Sequence, residues 1–350
     1  MKRILFALVL IVLLSSCEKA RVDYEGEEKT DILQIYCNDV FFARGLLTKI
    51  IPEFEKRYDC RVVVTQLSED QPLIAQVAKE KGNPTADVVV GIKSLQLFKA
   101  IDSDIFQTYE SPNTSLIQNK SLFLERRFLL TPIAYSYFAF VYDSDVITEP
   151  PRTIAAFQGS TLTSRFITPD PTISPTAHSM LLWSLYIFGE KGFELYWNRV
   201  KKIFYSSNDK DSELMNWAEA YTVFQAEVAP IMIINSTYPA YYIEQEKTTK
   251  FKSFIPDEGG FKDIEYVGIV RGAKNLFLAR RFVDHLLTSE VQKEIPSTLW
   301  MYPSITNIPL PKGFYECVIP TVDLTENLFE KKGYFHDKWI ETWVKIMTSK

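Results

Sequence analysis

Strand-like runs alternate with helix-like segments along the first ninety residues, and this alternation constrains the fold more than any other feature. Residues 32–36, 61–66 and 86–91 have the apolar, β-branched character of strands. Between them, residues 46–58 and 72–81 carry apolar side chains at helical spacing. Strands that alternate with helices predict an α/β fold with a mostly parallel sheet covered by helices.

The remainder of the chain predicts a second lobe. A strand at 138–142 precedes the proline pair 150–151, helices are predicted at 175–188 and 193–204, and a strand is predicted at 229–234. A strand at 265–270, a helix at 277–287 and a helical tail from Asn327 follow. If the chain crosses near 134–142 and returns near 262–268, two strands join two lobes. Residues 31–136 and 265–350 then form lobe 1, and residues 137–264 form lobe 2. In such folds a ligand binds in the cleft at the carboxyl ends of the strands.

The N-terminus has the features of a bacterial lipoprotein signal. Lys2 and Arg3 precede eleven apolar residues, 4–14, which are too few for a membrane-spanning helix of about 20 residues. The segment Leu14-Ser15-Ser16-Cys17 resembles a lipobox, in which the cysteine is lipidated as the signal is removed. We therefore predict a signal peptide at 1–16, lipidation of Cys17, a flexible tether at 17–30, and attachment to the periplasmic face of a membrane.

Composition excludes several other functions. The 350 residues carry 39 basic and 44 acidic side chains, a net charge of −5, which disfavours a nucleic-acid partner. The three histidines are far apart in the sequence, so no metal site is predicted, and no cofactor is expected. We expect the chain to act as a monomer.

The cysteines do not predict a disulfide framework. Beyond Cys17, three remain: Cys37, Cys60 and Cys317. Cys37 follows the first predicted strand and Cys60 precedes the second. In neighbouring parallel strands these positions lie at opposite edges of the sheet, so we expect isolated thiols.

One candidate binding motif opens a predicted helix. Asn216 is placed to cap it, and Glu219 three residues later is placed to complete a capping box, which favours a structural role for Glu219. Trp217, at the first helical position, could form a cleft wall.

A stronger motif runs from residue 231 to residue 242, where an apolar strand ends in a polar loop. Pro239 is suited to open the next helix, and the loop together with the free N–H groups of that helix suits a polar or anionic ligand group. Tyr241 offers a ring beside this loop, whereas Tyr242 suits the core better. The loop's other candidate contacts are Asn235, Ser236 and Thr237.

Three further elements complete the candidate site. Ser174 precedes Pro175, so its hydroxyl can either cap a helix or face a ligand. Trp300 lies in a turn between Pro296 and Pro303. Glu69 and Asp70 follow the second strand at the same predicted edge, where they could attract a cation.

Taken in order, these motifs resemble those of the bacterial periplasmic thiamine-binding proteins, the receptors of thiamine ABC importers. The motifs are the lipobox, ADVVVG, YSYFAFVYD, the Ser174 element followed by LLW, WAEAY, STYPAYY, LWMYP and LPKGF. The resemblance covers residues 31 to 315. It implies a two-lobed type II periplasmic-binding fold that captures thiamine or its phosphates and delivers them to an ABC transporter permease.

The resemblance also implies roles for individual residues. Trp217, Tyr241 and Trp300 would be the aromatic walls around the ligand rings. Glu69 and Asp70 would form an acidic loop, and Ser174 with residues 235–239 would supply polar contacts. The sequence departs from the family at Asn38, Arg44, Lys93 and Asn235, which leaves thiamine and its phosphates as alternatives.

Two other functions stay open on the residues. A ferric-ion or other small-solute receptor is suggested by the adjacent Tyr241 and Tyr242, although iron would need further anionic ligands. A thiaminase-like enzyme would need a nucleophilic cysteine in the cleft, and no cysteine lies between residues 61 and 316. The sequence therefore predicts a receptor rather than an enzyme.

Overall fold

A computed structural model describes residues 31–68, 72–159, 166–204 and 215–349. The strands are β1 (Ile32–Asn38), β2 (Arg61–Leu67), β3 (Val88–Lys93), β4 (Phe106–Gln107), β5 (Thr131–Asp143), β6 (Phe166–Ile167), β7 (Ile231–Asn235), β8 (Phe251–Phe254), β9 (Lys262–Val270) and β10 (Tyr302–Pro303). The helices are α1 (Asp39–Ala43), α2 (Leu46–Tyr58), α3 (Leu73–Lys79), α4 (Leu97–Asp102), α5 (Pro175–Val200), α6 (Trp217–Gln225), α7 (Tyr238–Tyr241), α8 (Leu276–Leu286), α9 (Ser289–Gln292), α10 (Ile295–Thr298), α11 (Thr325–Phe329) and α12 (Lys338–Thr348).

The strands form one continuous sheet in the order β2-β1-β3-β9-β5-β7-β6. Strands β1, β2 and β3 are parallel neighbours, as are β6 and β7. The long strands β5 and β9 run antiparallel to each other and β9 runs antiparallel to β3, so the sheet is mixed. The predicted α/β class is therefore confirmed, and the antiparallel pairs arise where the chain crosses between its two halves.

Strand β5 connects the two lobes of the fold. Its first part, residues 131–137, pairs with β9, and its second part, residues 138–143, pairs with β7 and β8. The sequence predicted only residues 138–142 of this strand. The boundaries predicted for the lobes remain a prediction.

Helix α2 has the bounds that the sequence predicted. Leu46, Leu47, Ile50 and Phe54 are buried along one face, so apolar periodicity alone identifies this helix. Helix α5 consists of two helical segments on either side of a non-helical kink at Gly189, so the two helices expected at 175–188 and 193–204 are confirmed, although the second ends at Val200. Gly189 has φ 64°, a conformation that favours glycine, and it forms the break between the two predicted helices.

The C-terminal segment packs against both halves of the chain. Phe335 contacts Phe98 of α4 at 4.8 Å between ring centroids. Trp343 of α12 meets Trp197 of α5 edge to face at 5.7 Å. The segment therefore ties α4, near the first parallel strands, to α5, which lies in the stretch predicted as lobe 2.

The cysteines of the described residues are free thiols: Cys37, Cys60 and Cys317. Strands β1 and β2 are parallel neighbours, so Cys37 near the end of β1 and Cys60 before the start of β2 lie at opposite edges of the sheet, as predicted. No helix within the described ranges is both long and apolar enough to cross a membrane.

Candidate functional site

A cleft that is partly open to solvent lies where the carboxyl ends of β1 and β3 face the amino ends of α5 and α6. The end of β7 completes its second side. Its lining residues are Asn38, Asp39, Val40, Arg44, Ser68, Pro72, Leu73, Lys93, Gln96, Ile173, Ser174, Pro175, Thr176, Trp217, Ile234 and Asn235. The structure therefore brings three of the predicted ligand-binding residues to one cleft: Ser174, Trp217 and Asn235.

Asn38 begins one side of the cleft by capping the short helix α1. Its Oδ1 atom accepts a hydrogen bond from the N–H of Phe41 at 2.6 Å, and its Nδ2 atom donates to the carbonyl of Gly91 at 3.3 Å. These bonds fix the turn after β1 and place Asp39 and Arg44 at the cleft. The sequence identified Asn38 only as a departure from the thiamine-binding family.

Gly91 shapes strand β3 just before it reaches the cleft. It has φ 85° at an irregularity in the pairing with β9, and a Cβ atom there would lie 2.9 Å from Phe41 Cγ. Glycine is therefore required on both conformational and steric grounds. After this bulge, Lys93 is the register partner of Glu265.

Lys93 is clamped between two buried carboxylates at the cleft. Its Nζ atom lies 2.8 Å from Asp263 Oδ2 and 2.7 Å from Glu265 Oε1, and both acids project from β9. Burial disfavours the charged lysine, but the charges of Asp263 and then Glu265 outweigh burial, so the pKa of Lys93 is raised. Lys93 is thus a charged, paired residue and not a solvated surface group.

Ser174 lies at the amino end of α5, on the opposite side of the cleft. Its backbone N–H donates to the carbonyl of Asp170 at 2.8 Å, while its side chain makes no capping hydrogen bond to the helix. The residue is 3% exposed and lines the cleft together with Thr176. Of the two roles that the sequence allowed for Ser174, the structure therefore excludes the capping one.

Trp217 forms the aromatic wall of the cleft at the start of α6. Asn216 and Glu219 form the predicted capping box, with both reciprocal bonds 2.9 Å long. This cap fixes the first turn of α6, and the Trp217 ring stacks on Tyr221 with a centroid distance of 4.9 Å and an interplanar angle of 16°. The predicted structural role of Glu219 is confirmed.

The polar side chains at the end of β7 and in the loop after it have different surroundings. Asn235 lines the cleft, but Ser236 and Thr237 are fully buried. Thr237 Oγ1 donates to the carbonyl of Trp300 at 2.6 Å and lies 2.9 Å from Ser136 Oγ. Pro239 occupies the first turn of α7, as predicted, and is buried as well. Ser236, Thr237 and Pro239 thus shape the loop and lie outside the cleft lining.

Tyr241 and Trp300 meet each other beside the cleft rather than lining it. Their rings are edge to face at 5.4 Å. They continue a row of rings that begins at the cleft with Trp217 and passes through Tyr221 and Tyr238, with centroid distances of 4.9, 5.7 and 5.9 Å up to Tyr241. We call these five residues the aromatic row. The sequence singled out its two ends and Tyr241 but missed Tyr221 and Tyr238.

Some residues of the cleft lining were not predicted, and some predicted residues lie outside the described ranges. Asp39, Gln96 and Thr176 line the cleft without having been predicted, although Asp39 directly follows a predicted strand and Thr176 follows the Ser174-Pro175 pair. Glu69 and Asp70 lie outside the described residues, as does Cys17. Among the described residues no group of three or more His, Cys, Asp or Glu side chains could hold a metal ion.

Sequence comparison links the N-terminus to known lipoproteins. The profile of the prokaryotic membrane lipoprotein lipid attachment site matches residues 1–17. This match, together with the periplasmic relatives described next, confirms the predicted location of the protein at the periplasmic face of a membrane, held by a lipid anchor.

The chain is similar to two curated thiamine-binding periplasmic proteins. The protein of Brucella melitensis is 29% identical over 287 residues, covering 81% of this chain and 83% of the relative. The protein of Escherichia coli K12 is 26% identical over 322 residues, covering 91% and 94%. These similarities confirm the resemblance that the motifs carried.

A solved structure of a periplasmic thiamin binding protein matches the fold with a TM-score of 0.78 and 25% identity, covering 91% of this chain and 96% of that one. This match confirms the two-lobed type II periplasmic-binding architecture. The profile of the bacterial extracellular solute-binding protein family matches residues 44–293, well over half of the chain. The protein therefore belongs to the bacterial extracellular solute-binding protein family.

Proposed function

We propose that this protein binds thiamine or a thiamine phosphate in the cleft and delivers it to the permease of an ABC importer. The observation that carries this proposal is the cleft itself, where the ring of Trp217 faces polar and charged groups from the opposite side. The thiamine-binding relatives support the choice of ligand. The protein would act as a monomer held at the membrane by the lipid on Cys17.

The ring of Trp217 suits the thiazolium cation of thiamine. Aromatic faces attract a cation by about 0.5–2 kcal/mol when water is excluded. Because Tyr221 stacks on Trp217, the ring is already ordered before a ligand arrives, which lowers the entropy lost on binding. The ring therefore provides a pre-formed platform for one of the ligand rings.

The charges around the cleft also favour a cation. Asp39 and Arg44 line it, and Lys93 lines it with Asp263 and Glu265 directly behind. Among the described residues, three carboxylates thus lie at the cleft with two basic side chains, which leaves an excess negative charge. A permanently cationic ligand offsets this excess.

The amino end of α5 suits the hydroxyl or phosphate end of the ligand. Ser174 and Thr176 line the cleft there, and the Ser174 side chain is not used to cap the helix. Free N–H groups at a helix start favour an anionic or hydroxyl group. This arrangement accommodates both thiamine and its phosphate esters.

Tyr241 and Trp300 would form a second wall when the lobes move on ligand binding. Trp300 has φ 54°, an unusual conformation for a residue other than glycine, and the bond from Thr237 to its carbonyl holds it there. We propose that this held geometry presents the Trp300 ring toward the ligand. Glu69 and Asp70 remain proposed as an acidic loop near the ligand.

The alternative of a ferric-ion receptor is less well supported. Tyr242 is buried, and its hydroxyl lies 3.1 Å from the hydroxyl of Tyr221, so it is already partnered. The Tyr241 hydroxyl donates to Glu246 at 3.3 Å. The two tyrosines therefore do not converge on one open position.

A cysteine-dependent enzyme is also disfavoured. Burial raises the pKa of the Cys37 and Cys317 thiols to about 12 and that of Cys60 to about 11. A nucleophilic cysteine needs a depressed pKa, because the thiolate is the reactive form. These thiols stay protonated at neutral pH, which supports a receptor without catalytic activity.

A thermal melt tests the proposal. Thiamine at ~1,000 times its dissociation constant should stabilise the mature protein by about 4 kcal/mol and raise the melting temperature. Thiamine monophosphate and diphosphate are measured alongside, with an unrelated cationic amine as the control. If none of the three ligands shifts the melt, the proposed function is wrong.

A further inference from the structure

Among the described residues, Lys93 is one of two basic residues that line the cleft, and its surroundings differ from those of the other, Arg44. Its side chain is 15% exposed, while those of its partners Asp263 and Glu265 are 0% and 2% exposed. The second oxygen of each acid, Asp263 Oδ1 and Glu265 Oε2, is buried without a hydrogen-bond partner among the described residues. The positive charge of Lys93 is therefore more than offset before any ligand arrives.

The two carboxylates also fix the direction of the ammonium group. A lysine ammonium has three N–H donors. One of them is donated to Asp263 Oδ2 at 2.8 Å, and Glu265 Oε1 lies 2.7 Å from the Nζ atom as an ion-pair partner. The described residues accept no further hydrogen bond from this ammonium group, and the Lys93 side chain lines the cleft. Lys93 thus offers a ligand an N–H donor that two acids hold in place, with little net charge.

Arg44, the other basic residue of the cleft, is in the opposite situation. Its Nη1 atom donates to the carbonyl of Leu299 at 3.4 Å, a neutral acceptor. Within the described ranges Arg44 takes part in no ion pair, whereas Lys93 takes part in two. Arg44 therefore keeps a positive charge that an anionic ligand group can use.

We propose that Lys93, clamped by Asp263 and Glu265, is a specificity-determining residue that donates one hydrogen bond to an uncharged acceptor of the ligand, and that Arg44 rather than Lys93 interacts with a phosphate ester. This inference rests on the proposed function. The acceptor is a pyrimidine ring nitrogen or the hydroxyl oxygen of thiamine. A dianionic phosphate does not suit this position, because Asp263 and Glu265 already exceed the charge of Lys93.

The test of the hydrogen bond is a cycle between protein variants and ligand analogues. The double variant Lys93→Met with Glu265→Gln removes one positive and one negative charge, so the net charge beside the cleft is unchanged while the donor is lost. The analogues are deoxythiamine and two compounds in which one or the other pyrimidine nitrogen is replaced by CH. Titration calorimetry measures each pair, with circular dichroism as the check of folding.

The wild type should bind one of these analogues about tenfold more weakly than thiamine, while the double variant binds that analogue and thiamine equally. A merely structural role for Lys93 would instead weaken every ligand by the same factor in the variant. The proposal is wrong if each of the three analogues loses the same factor of binding affinity, relative to thiamine, in the wild type and in the double variant. If the double variant does not fold, Lys93→Arg keeps a cation between the acids but redirects the remaining N–H groups, and it enters the same cycle.

A separate comparison tests whether Arg44, and not Lys93, interacts with a phosphate ester. Arg44→Gln should weaken thiamine monophosphate about tenfold or more and leave thiamine within about threefold of wild type. The Lys93 double variant should keep the wild-type ratio of the two affinities within about threefold. A selective loss of the monophosphate in the Lys93 variant, or no selective loss in Arg44→Gln, would overturn this assignment.

The wild-type titrations distinguish a failure of the proposed function from a failure of the role of Lys93. If the wild-type protein binds none of the thiamine compounds, the proposed function fails and the role of Lys93 fails with it. If the wild type binds them but the cycle is additive, only the role of Lys93 is wrong.

Discussion

Tyr241 and Trp300 meet edge to face at 5.4 Å, although they come from α7 and from the turn before β10. A second contact lies beside this one, because Thr237 donates to the Trp300 carbonyl at 2.6 Å. Tyr241 belongs to the stretch predicted as lobe 2, and Trp300 follows the return crossing through β9. Their contact therefore already joins the two stretches predicted as separate lobes. A ligand shifts an equilibrium between open and closed forms only by its differential affinity for the two forms.

Replacing Trp300 with alanine should weaken thiamine binding by about 1–3 kcal/mol, the range measured for ring stacking. The variant removes a proposed ligand wall and also the ring that meets Tyr241. Tyr242→Phe is the matched control, because Tyr242 is buried and bonds to Tyr221, away from the cleft lining. Titration calorimetry on both variants, with melts to confirm folding, makes the comparison. Wild-type affinity in Trp300→Ala would argue against the second wall.

Trp343→Ala should destabilise the fold by about 3–5 kcal/mol, the usual cost of truncating a buried aromatic side chain. Trp343 is 1% exposed and packs edge to face on Trp197 of α5. Lys345→Ala, at an exposed position of the same helix, should change stability by less than about 0.5 kcal/mol. Urea unfolding of the two variants tests this. Equal stability would mean that α12 is not needed to hold α5.

Stability should fall as pH is lowered from 6.5 to 4, with a contribution from His178. Burial is the main cause that lowers the pKa of His178 to about 4; Lys99 lowers it further and Asp337 opposes the shift. Its Nε2 atom is buried without a partner among the described residues. The unfolded chain binds a proton below its ordinary pKa of about 6.5, whereas the folded chain does so only below about 4. The stability contribution is therefore complete above pH 6.5 and decreases by up to about 3 kcal/mol on acidification.

Replacing His178 tests this pH dependence, because carboxylates also contribute at low pH. Melting temperatures of wild type and His178→Gln are compared from pH 7.5 to pH 4. The variant should lose less stability over that range than wild type. His336→Gln, at an exposed position, should keep the wild-type slope. Parallel curves for wild type and His178→Gln would contradict the assignment.

Cys17→Ser should release the protein from the membrane or leave its signal uncleaved, because lipidation requires the thiol. The match of residues 1–17 to the lipid attachment site motivates this substitution. Detergent phase partitioning measures the effect, and Cys317→Ser serves as the control. Unchanged partitioning of Cys17→Ser into the detergent phase would show that the anchor lies elsewhere.

Local sequence patterns predicted those elements whose positions are determined by residues close together in the chain. Helix α2 could be located because Ile50 and Phe54 recur at helical spacing and are buried together. The cap of α6 could be located because Asn216 and Glu219 have capping-box spacing. The first part of β5 was missed, since residues 131–137 are defined by their pairing with β9, which is distant in sequence. The register of such pairs is fixed by long-range contacts that a local pattern does not contain.

The same dependence on long-range contacts explains which residues of the candidate site could be predicted and which could not. Trp217, Ser174 and Asn235 were found because each stands at the start of a helix or the end of a strand. Ser236 and Thr237 belong to the same motif as Asn235, but the turn buries them. The backbone N–H of Ser236 donates to the Tyr137 carbonyl, and Thr237 Oγ1 contacts Ser136 Oγ and the Trp300 carbonyl. The environment of Lys93 could not be predicted, because its two acids lie on β9 and meet it only through the register of β3 and β9.

The most direct test of the central claim is titration calorimetry of the mature protein and its Trp217→Ala variant with thiamine. The account predicts one site per chain with a nanomolar dissociation constant, about −12 kcal/mol, in the wild type. It predicts binding at least about tenfold weaker in Trp217→Ala, because the ring that lines the cleft is lost. No binding by the wild type, or equal affinity in the two proteins, would contradict the account.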